Sequence, residues 1–224
     1  MRQGLPSSVG PGIPRRAGSG QNRLMTDEYG PGVALLVIDV QNDFAAPTGS
    51  LYVAGGEEII PPVNDEIERA VAAGSPVVYT QDWHPPTTPH FVTGGGIWPP
   101  HCVRETEGAQ LHPALRVDGT IVRKGTGGED GYSGFTVRNP LTDADQATEL
   151  VDVLTAREVR RIVVVGLAGD HCVKATALDG RALGFDVVVP LALTRFVGLR
   201  PGDEKQAVSQ MREAGVRVLT RPSK

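Results

Sequence analysis

Ile162-Val163-Val164-Val165-Gly166-Leu167-Ala168-Gly169-Asp170-His171-Cys172-Val173 is the stretch whose reading decides the fold. The apolar run Ile162 to Val165 reads as a strand buried on both faces, since no polar residue alternates with the apolar ones. The small residues Gly166 to Gly169 make a turn. A helical pattern then begins, with Asp170 as its expected N-cap. Cys172 falls in the first turn of that helix. Partial positive charge and free backbone N–H groups at a helix N-terminus both favour thiolate. The same N–H groups suit a developing oxyanion. One turn thus offers a nucleophile and a means of activating it, although the pattern alone also describes an ordinary buried cysteine.

Working outward, strand and helix patterns alternate on both sides of this stretch. Upstream, Val33 to Ile38 is a first strand ending at Asp39. Glu57 to Ala73 is a helix with Pro61 and Pro62 in its first turn and Gly74 ending it. Pro76 to Thr80 is a second strand, with Gln81 and Asp82 at its end. Thr120 to Arg123 is a third, ending at Lys124. A Gly-rich loop, Thr126 to Tyr132, and a helix over 145–158 lead into the fourth strand. Downstream, the helix from Asp170 to Leu183 precedes a fifth strand, Phe185 to Val189. A helix from Gly202 to Ala214 precedes a sixth, Val216 to Leu219. This alternation predicts a parallel sheet with helices on both faces. Right-handed crossovers favour a three-layer α/β/α sandwich on six parallel strands in the order 3-2-1-4-5-6. The pattern fills 33–224 as one domain. Residues 1–32 are rich in Gly, Pro, Ser and Arg without apolar period, and read as a disordered extension. Arg15-Arg16 has no apolar segment after it, so no secretory signal is expected, and Met25 offers an alternative start.

Totals narrow the function classes. A net charge of −4 over 224 residues gives no electrostatic case for nucleic acid. Two cysteines, Cys102 and Cys172, form no disulfide framework and fit a reducing, cytoplasmic setting. No apolar run is long enough to span a bilayer.

Open α/β sheets bind ligands outside the carboxyl ends of their strands, at the switch point. Here those ends carry Asp39, Asp82, Lys124 and, just past the fourth strand, Cys172. The expected order puts the switch between the first and fourth strands, bringing Asp39 and Cys172 side by side. A carboxylate beside a thiol can take its proton, and a lysine nearby keeps that carboxylate ionised. Taken singly, Asp39 also reads as a turn cap and Lys124 as a solvated loop residue. His171 adjoins Cys172, but neighbours on a helix point about 100° apart, so it reads as structural rather than as a base. A second set lies in the long loop from Trp83 to Pro113: Asp82-x-His84, His90 and His101. Three of the chain's five histidines beside a carboxylate suit zinc, iron or manganese, or are merely scattered loop residues, since no tight ligand motif is present. Cys102 reads as a buried structural thiol. Phe44, Trp98 and Tyr132 are packing residues or the walls of a pocket for a flat ring.

Asp39-Val40-Gln41-Asn42-Asp43-Phe44, Asp82-Trp83-His84, Trp98-Pro99-Pro100-His101-Cys102, Lys124-Gly125, Tyr132-Ser133-Gly134-Phe135 and Asp170-His171-Cys172-Val173 together resemble the nicotinamidase (pyrazinamidase) branch of the isochorismatase-like cysteine hydrolases. The resemblance covers about Val33 to Leu219. It implies Asp39 as general base, Lys124 as its charge partner and Cys172 as nucleophile, with N–H groups of Ala168 and Cys172 as the oxyanion hole. It implies Asp82, His84, His90 and His101 as ligands of one divalent metal, and Phe44, Trp98 and Tyr132 as the residues that hold the ring. It also implies a cis Leu167–Ala168 bond and hydrolysis of nicotinamide, a small amide substrate, in NAD salvage; a homo-oligomer is compatible with it. Gly169 departs from the pattern, standing where relatives often carry a hydroxyl residue. Two alternatives stay open: an amidase for carbamoyl or ureido compounds, which needs no metal set, and a non-catalytic α/β binding module. A nucleotide-binding oxidoreductase is disfavoured, since no GxGxxG opens the helix after the first strand.

Overall fold

The computed structural model describes residues 29–220. The chain order is β1 (Val33–Ile38), α1 (Asn42–Ala45), α2 (Ile60–Ala72), β2 (Val77–Asp82), β3 (Thr120–Lys124), β4 (Thr136–Arg138), β5 (Asp145–Ala147), α3 (Leu150–Thr155), β6 (Arg161–Gly166), α4 (Cys172–Ala182), β7 (Asp186–Pro190), α5 (Asp203–Glu213) and β8 (Arg217–Leu219). Six strands form one parallel sheet in the order β3-β2-β1-β6-β7-β8. That is the expected 3-2-1-4-5-6 order, with the switch between β1 and β6. All residues of β1 are buried, and alternate side chains face opposite layers. Leu35 and Val37 pack with Ile59, Ile60, Val63 and Ile67 of the α2 side. Ala34, Leu36 and Ile38 pack with Val173 and Ala177 of α4, Leu150 and Leu154 of α3, and Met211 of α5. With no exposed area to relax into, Leu36→Ala would cost about 2–5 kcal/mol.

Three local expectations change. The helix expected over 145–158 is shorter, Leu150–Thr155, because Asp145–Ala147 pairs with Thr136–Arg138 as an antiparallel ribbon. Asp170 caps no helix. The N-cap position of α4 is His171, and no side chain caps it. A short helix, Asn42–Ala45, follows β1 where no element was expected. Most of the expected extension, 1–28, lies outside the described residues. Tyr29 to Gly32 are described, and the Gly32 carbonyl accepts the Arg160 N–H at 2.8 Å. Among the described residues no helix is long and apolar enough to cross a membrane.

Candidate active site

Strand register assembles the site. Asp82 and Lys124 are direct partners in the β2–β3 ladder, and Ile38 pairs with Gly166 across β1–β6. Asp39, one step past β1, takes a left-handed backbone (φ 47°), a conformation non-glycine residues rarely hold without a purpose. Thr80 secures it: its hydroxyl accepts the Asp39 N–H at 3.2 Å and donates to Oδ1 at 2.6 Å. Lys124 Nζ lies 2.9 Å from Asp39 Oδ2, donates to Asp82 Oδ1, and stands 3.7 Å from Cys172 Sγ. All four side chains are buried. Asp39, Lys124 and Cys172, expected from the strand ends, thus meet at one point.

Burial and charge set the protonation states. Burial alone would raise Asp82, but Lys124 and the neighbouring imidazoles bring it down to about 2. Burial would lower Lys124, yet Asp39 and Asp82 outweigh it and hold the ammonium well above its usual range. Burial raises Asp39, with Lys124 opposing, so it is a stronger base than an ordinary aspartate. Burial also pushes the Cys172 thiol well up, and Asp39 and Asp82 add to this against Lys124. The thiolate expected from the helix end is therefore not the resting form. Desolvation and two carboxylates outweigh one ammonium.

The loop from Gly166 turns through a cis Leu167–Ala168 bond. The N–H groups of Leu167, Gly169, His171 and Val173 are spent on backbone carbonyls, whereas those of Ala168 and Cys172 make no such bond. Cys172 opens α4, so its N–H has no intrahelical acceptor. Two donors beside the thiol are thus left for an incoming oxygen.

His84, His90 and His101 converge, each offering a ligand nitrogen within 4.8 Å of the others. Asp82 stands between this cluster and the thiol: one oxygen meets Lys124, and the other lies 3.8 Å from His84 Nε2. Asp39, Asp82 and Cys172 form a second convergent group. His90 Nδ1 donates to Asp130 Oδ1 at 2.6 Å, and His101 Nδ1 to the Pro99 carbonyl at 2.7 Å. A carboxylate and a carbonyl only accept, so both rings carry hydrogen on Nδ1 and keep Nε2 free. Both ring nitrogens of His84 are buried without a hydrogen-bond partner. Burial lowers His84 to about 4 and lowers His101 also, so both rings are neutral. An unpartnered His84 ring, with His90 and His101 converging on it beside an ionised carboxylate, fits a divalent cation. Gly125 (φ +73°) permits this packing, because a Cβ there would lie 2.6 Å from His84 Nδ1.

A cleft lined by Asp82, His90, His101 and Cys172 joins the two clusters. Phe44, Trp98 and Tyr132, the expected ring-holding residues, line it with Leu167, Ala168 and Cys172. Trp98 Nε1 donates to Tyr132 Oη at 3.0 Å. His171, read from sequence as structural, also lines the cleft, edge-on to Trp98 at 5.3 Å between ring centroids. Asp130, Thr80 and Val197 were missed. Asp130 and Thr80 reach the site through partners 40 and 41 residues away, and Val197 carries no chemistry that a motif would mark.

An α/β sandwich holding a lysine-paired carboxylate against a helix-end thiol at its switch point has the parts that a covalent hydrolase needs. The chain belongs to the isochorismatase domain family, which matches residues 33–223. It is 36% identical over 208 residues to the nicotinamidase of Escherichia coli, covering 85% of this chain and 95% of that protein. The Pyrococcus horikoshii pyrazinamidase, solved in complex with zinc, is 36% identical, with a TM-score of 0.76, over 85% of this chain and all of that one. An L. infantum relative, solved in complex with nicotinate, is 39% identical, also with a TM-score of 0.76, over 85% and 93% of the two chains.

Proposed function

We propose that the protein is a metal-dependent cysteine amidohydrolase that converts nicotinamide to nicotinate and ammonia, accepts pyrazinamide, and serves NAD salvage in the cytoplasm. The observation that carries this reading is Asp82, shared between the thiol cluster and the three-imidazole cluster. It couples a nucleophile to a site for a ring nitrogen inside one cleft.

As the substrate amide binds, Cys172 Sγ attacks the carboxamide carbon while its proton passes to Asp39. The Ala168 and Cys172 N–H groups take the oxyanion, worth about 3–4 kcal/mol per donor in comparable sites. Asp39 then gives its proton to the departing ammonia, leaving a thioester on Cys172. Asp39, again a carboxylate, takes a proton from water as water attacks the thioester, and the acid leaves as Cys172 recovers its proton. Lys124 keeps charge balanced beside Asp39 throughout. Phe44, Trp98 and Tyr132 hold the ring. A divalent ion held by His84, His90, His101 and Asp82 would supply a Lewis acid for the ring nitrogen, fixing the carboxamide over Cys172.

The test is kcat/KM for ammonia release from nicotinamide, pyrazinamide and benzamide, before and after chelation and with metal restored. The first two amides should lead benzamide by orders of magnitude and depend on metal. Equal rates on benzamide and nicotinamide, or indifference to metal removal, refute the assignment.

A further inference from the structure

The segment after β7, residues 191–198, folds back over the nucleophile loop. The Thr194 hydroxyl donates to the Gly166 carbonyl at 2.6 Å, and the Gly169 N–H donates to the Arg195 carbonyl at 2.7 Å. Asp170 accepts the Val197 N–H through Oδ1 at 3.0 Å and the Gly198 N–H through Oδ2 at 2.9 Å. Phe196 lies flush on Gly169, where an added Cβ would meet three of its ring atoms at 2.6–2.8 Å. Val197, between these ties, lines the substrate cleft. Asp170 is buried and spends both oxygens on this segment, none on the start of α4. A carboxylate that accepts two backbone N–H groups makes charge-assisted bonds, about twice as strong as neutral ones.

We propose that Asp170 is a positioning residue that sets the width of the substrate cleft: it clamps residues 197–198 so that Val197 forms a fixed wall against the substrate ring, with Phe196 wedged on Gly169 behind it. The proposal rests on the amidase reading above and names a specificity determinant within it. The Asp170 carboxylate bonds to Val197 and Gly198 and to neither cluster, so its effect falls on substrate fit. Asn at 170 keeps the shape but turns an NH2 donor toward one of the two N–H groups, which unfastens half of the clamp. Ala at 197 leaves the clamp intact and removes the wall.

The experiment measures kcat and KM for nicotinamide and for its 4-, 5- and 6-methyl derivatives on the metal-loaded parent, Asp170→Asn and Val197→Ala. Asp170→Asn should raise the nicotinamide KM about ten-fold, the scale of one charge-assisted hydrogen bond, with kcat little changed. Val197→Ala should raise kcat/KM of at least one methyl derivative relative to nicotinamide by about ten-fold, and Asp170→Asn should move the same ratio in the same direction. Unchanged ratios in both variants, or a fall in kcat at constant KM for Asp170→Asn, overturn the proposal while leaving the amidase reading in place. A parent that releases no ammonia from nicotinamide overturns both. Should Asp170→Asn fail to fold, Asp170→Glu, which keeps the charge but shifts both oxygens off the Val197 and Gly198 N–H groups, should move the same ratio, and an unchanged ratio there overturns the proposal.

Discussion

Removing the charge of Lys124 is the sharpest perturbation the site offers. Its Nζ sits among Asp39, Asp82 and the Cys172 thiol, and the residue is 2% exposed. Lys124→Met keeps much of the volume and leaves two carboxyls buried without a cation. One of them then either stays charged at a desolvation cost or takes up a proton. Protonating a carboxyl whose ordinary value is 3.8 costs about 1.4 kcal/mol for each pH unit above it. The ceiling for one group is therefore ~4 kcal/mol at pH 7 and ~1.6 kcal/mol at pH 5, in line with the 3–5 kcal/mol typical of breaking a buried pair. A group whose folded pKa is raised above its unfolded value destabilises less as pH falls, so the loss must shrink toward acid. Urea unfolding of metal-free parent and variant at both pH values measures it. Adding Asp39→Asn should recover stability at pH 7 without restoring activity, because the base is gone. Activity of Lys124→Met should fall at least about a hundred-fold. A loss that is the same at pH 5 and pH 7, or below about 1 kcal/mol at both, would falsify the charge balance derived for this cluster.

Cys172→Ala should remove ammonia release by at least about a thousand-fold while circular dichroism stays that of the parent, and Cys102→Ala should keep substantial turnover. Because burial and the two aspartates hold the Cys172 thiol protonated, its alkylation by iodoacetamide at pH 7 should be slower than that of a free cysteine and should rise with pH; rapid, pH-independent labelling contradicts this. Asp130→Ala releases the His90 ring and should weaken metal binding by about 10–100-fold in a chelator competition; unchanged affinity refutes that orienting role. His84 is lowered to about 4 from 6.5, so below pH 6.5 the unfolded chain takes up a proton that the native state refuses. Stability of the metal-free parent should therefore fall by about 3 kcal/mol more than that of His84→Asn between pH 6.5 and pH 4, and parallel urea midpoints for the two would refute it.

The sheet was legible because its strands are apolar runs that end in chemically distinctive residues. Asp39, Asp82, Lys124 and Cys172 mark strand ends, and the topology rules then place them on one edge. The histidine set was legible in composition, although its identity as a ligand group came from resemblance rather than spacing. The ribbon of Thr136–Arg138 with Asp145–Ala147 was not legible: Asp145, Gln146 and Ala147 carry no period-2 apolar pattern, and only pairing with the short strand just upstream makes them extended. Asp170 misled for a related reason. An aspartate before a helix is the usual cap, but here Val197 and Gly198 compete for its oxygens and win. His171 was set aside as a base on helix geometry, yet it occupies the N-cap position with non-helical backbone, and that geometry said nothing of the aromatic wall its ring joins.

The seam between β1 and β6 divides the reaction between two lengths of chain. Asp39, Lys124 and the three imidazoles come from strands and loops that end by residue 124, whereas Cys172 and the free N–H groups of Ala168 and Cys172 come only after β6. The exposed turn around Leu141 and Asp143 lies between the two. A nascent chain carrying the first half alone has the proton acceptor and no electrophile trap. Ammonia release therefore reports completed assembly, and during refolding it should return no earlier than the last contact across that seam, however soon the first strands pair.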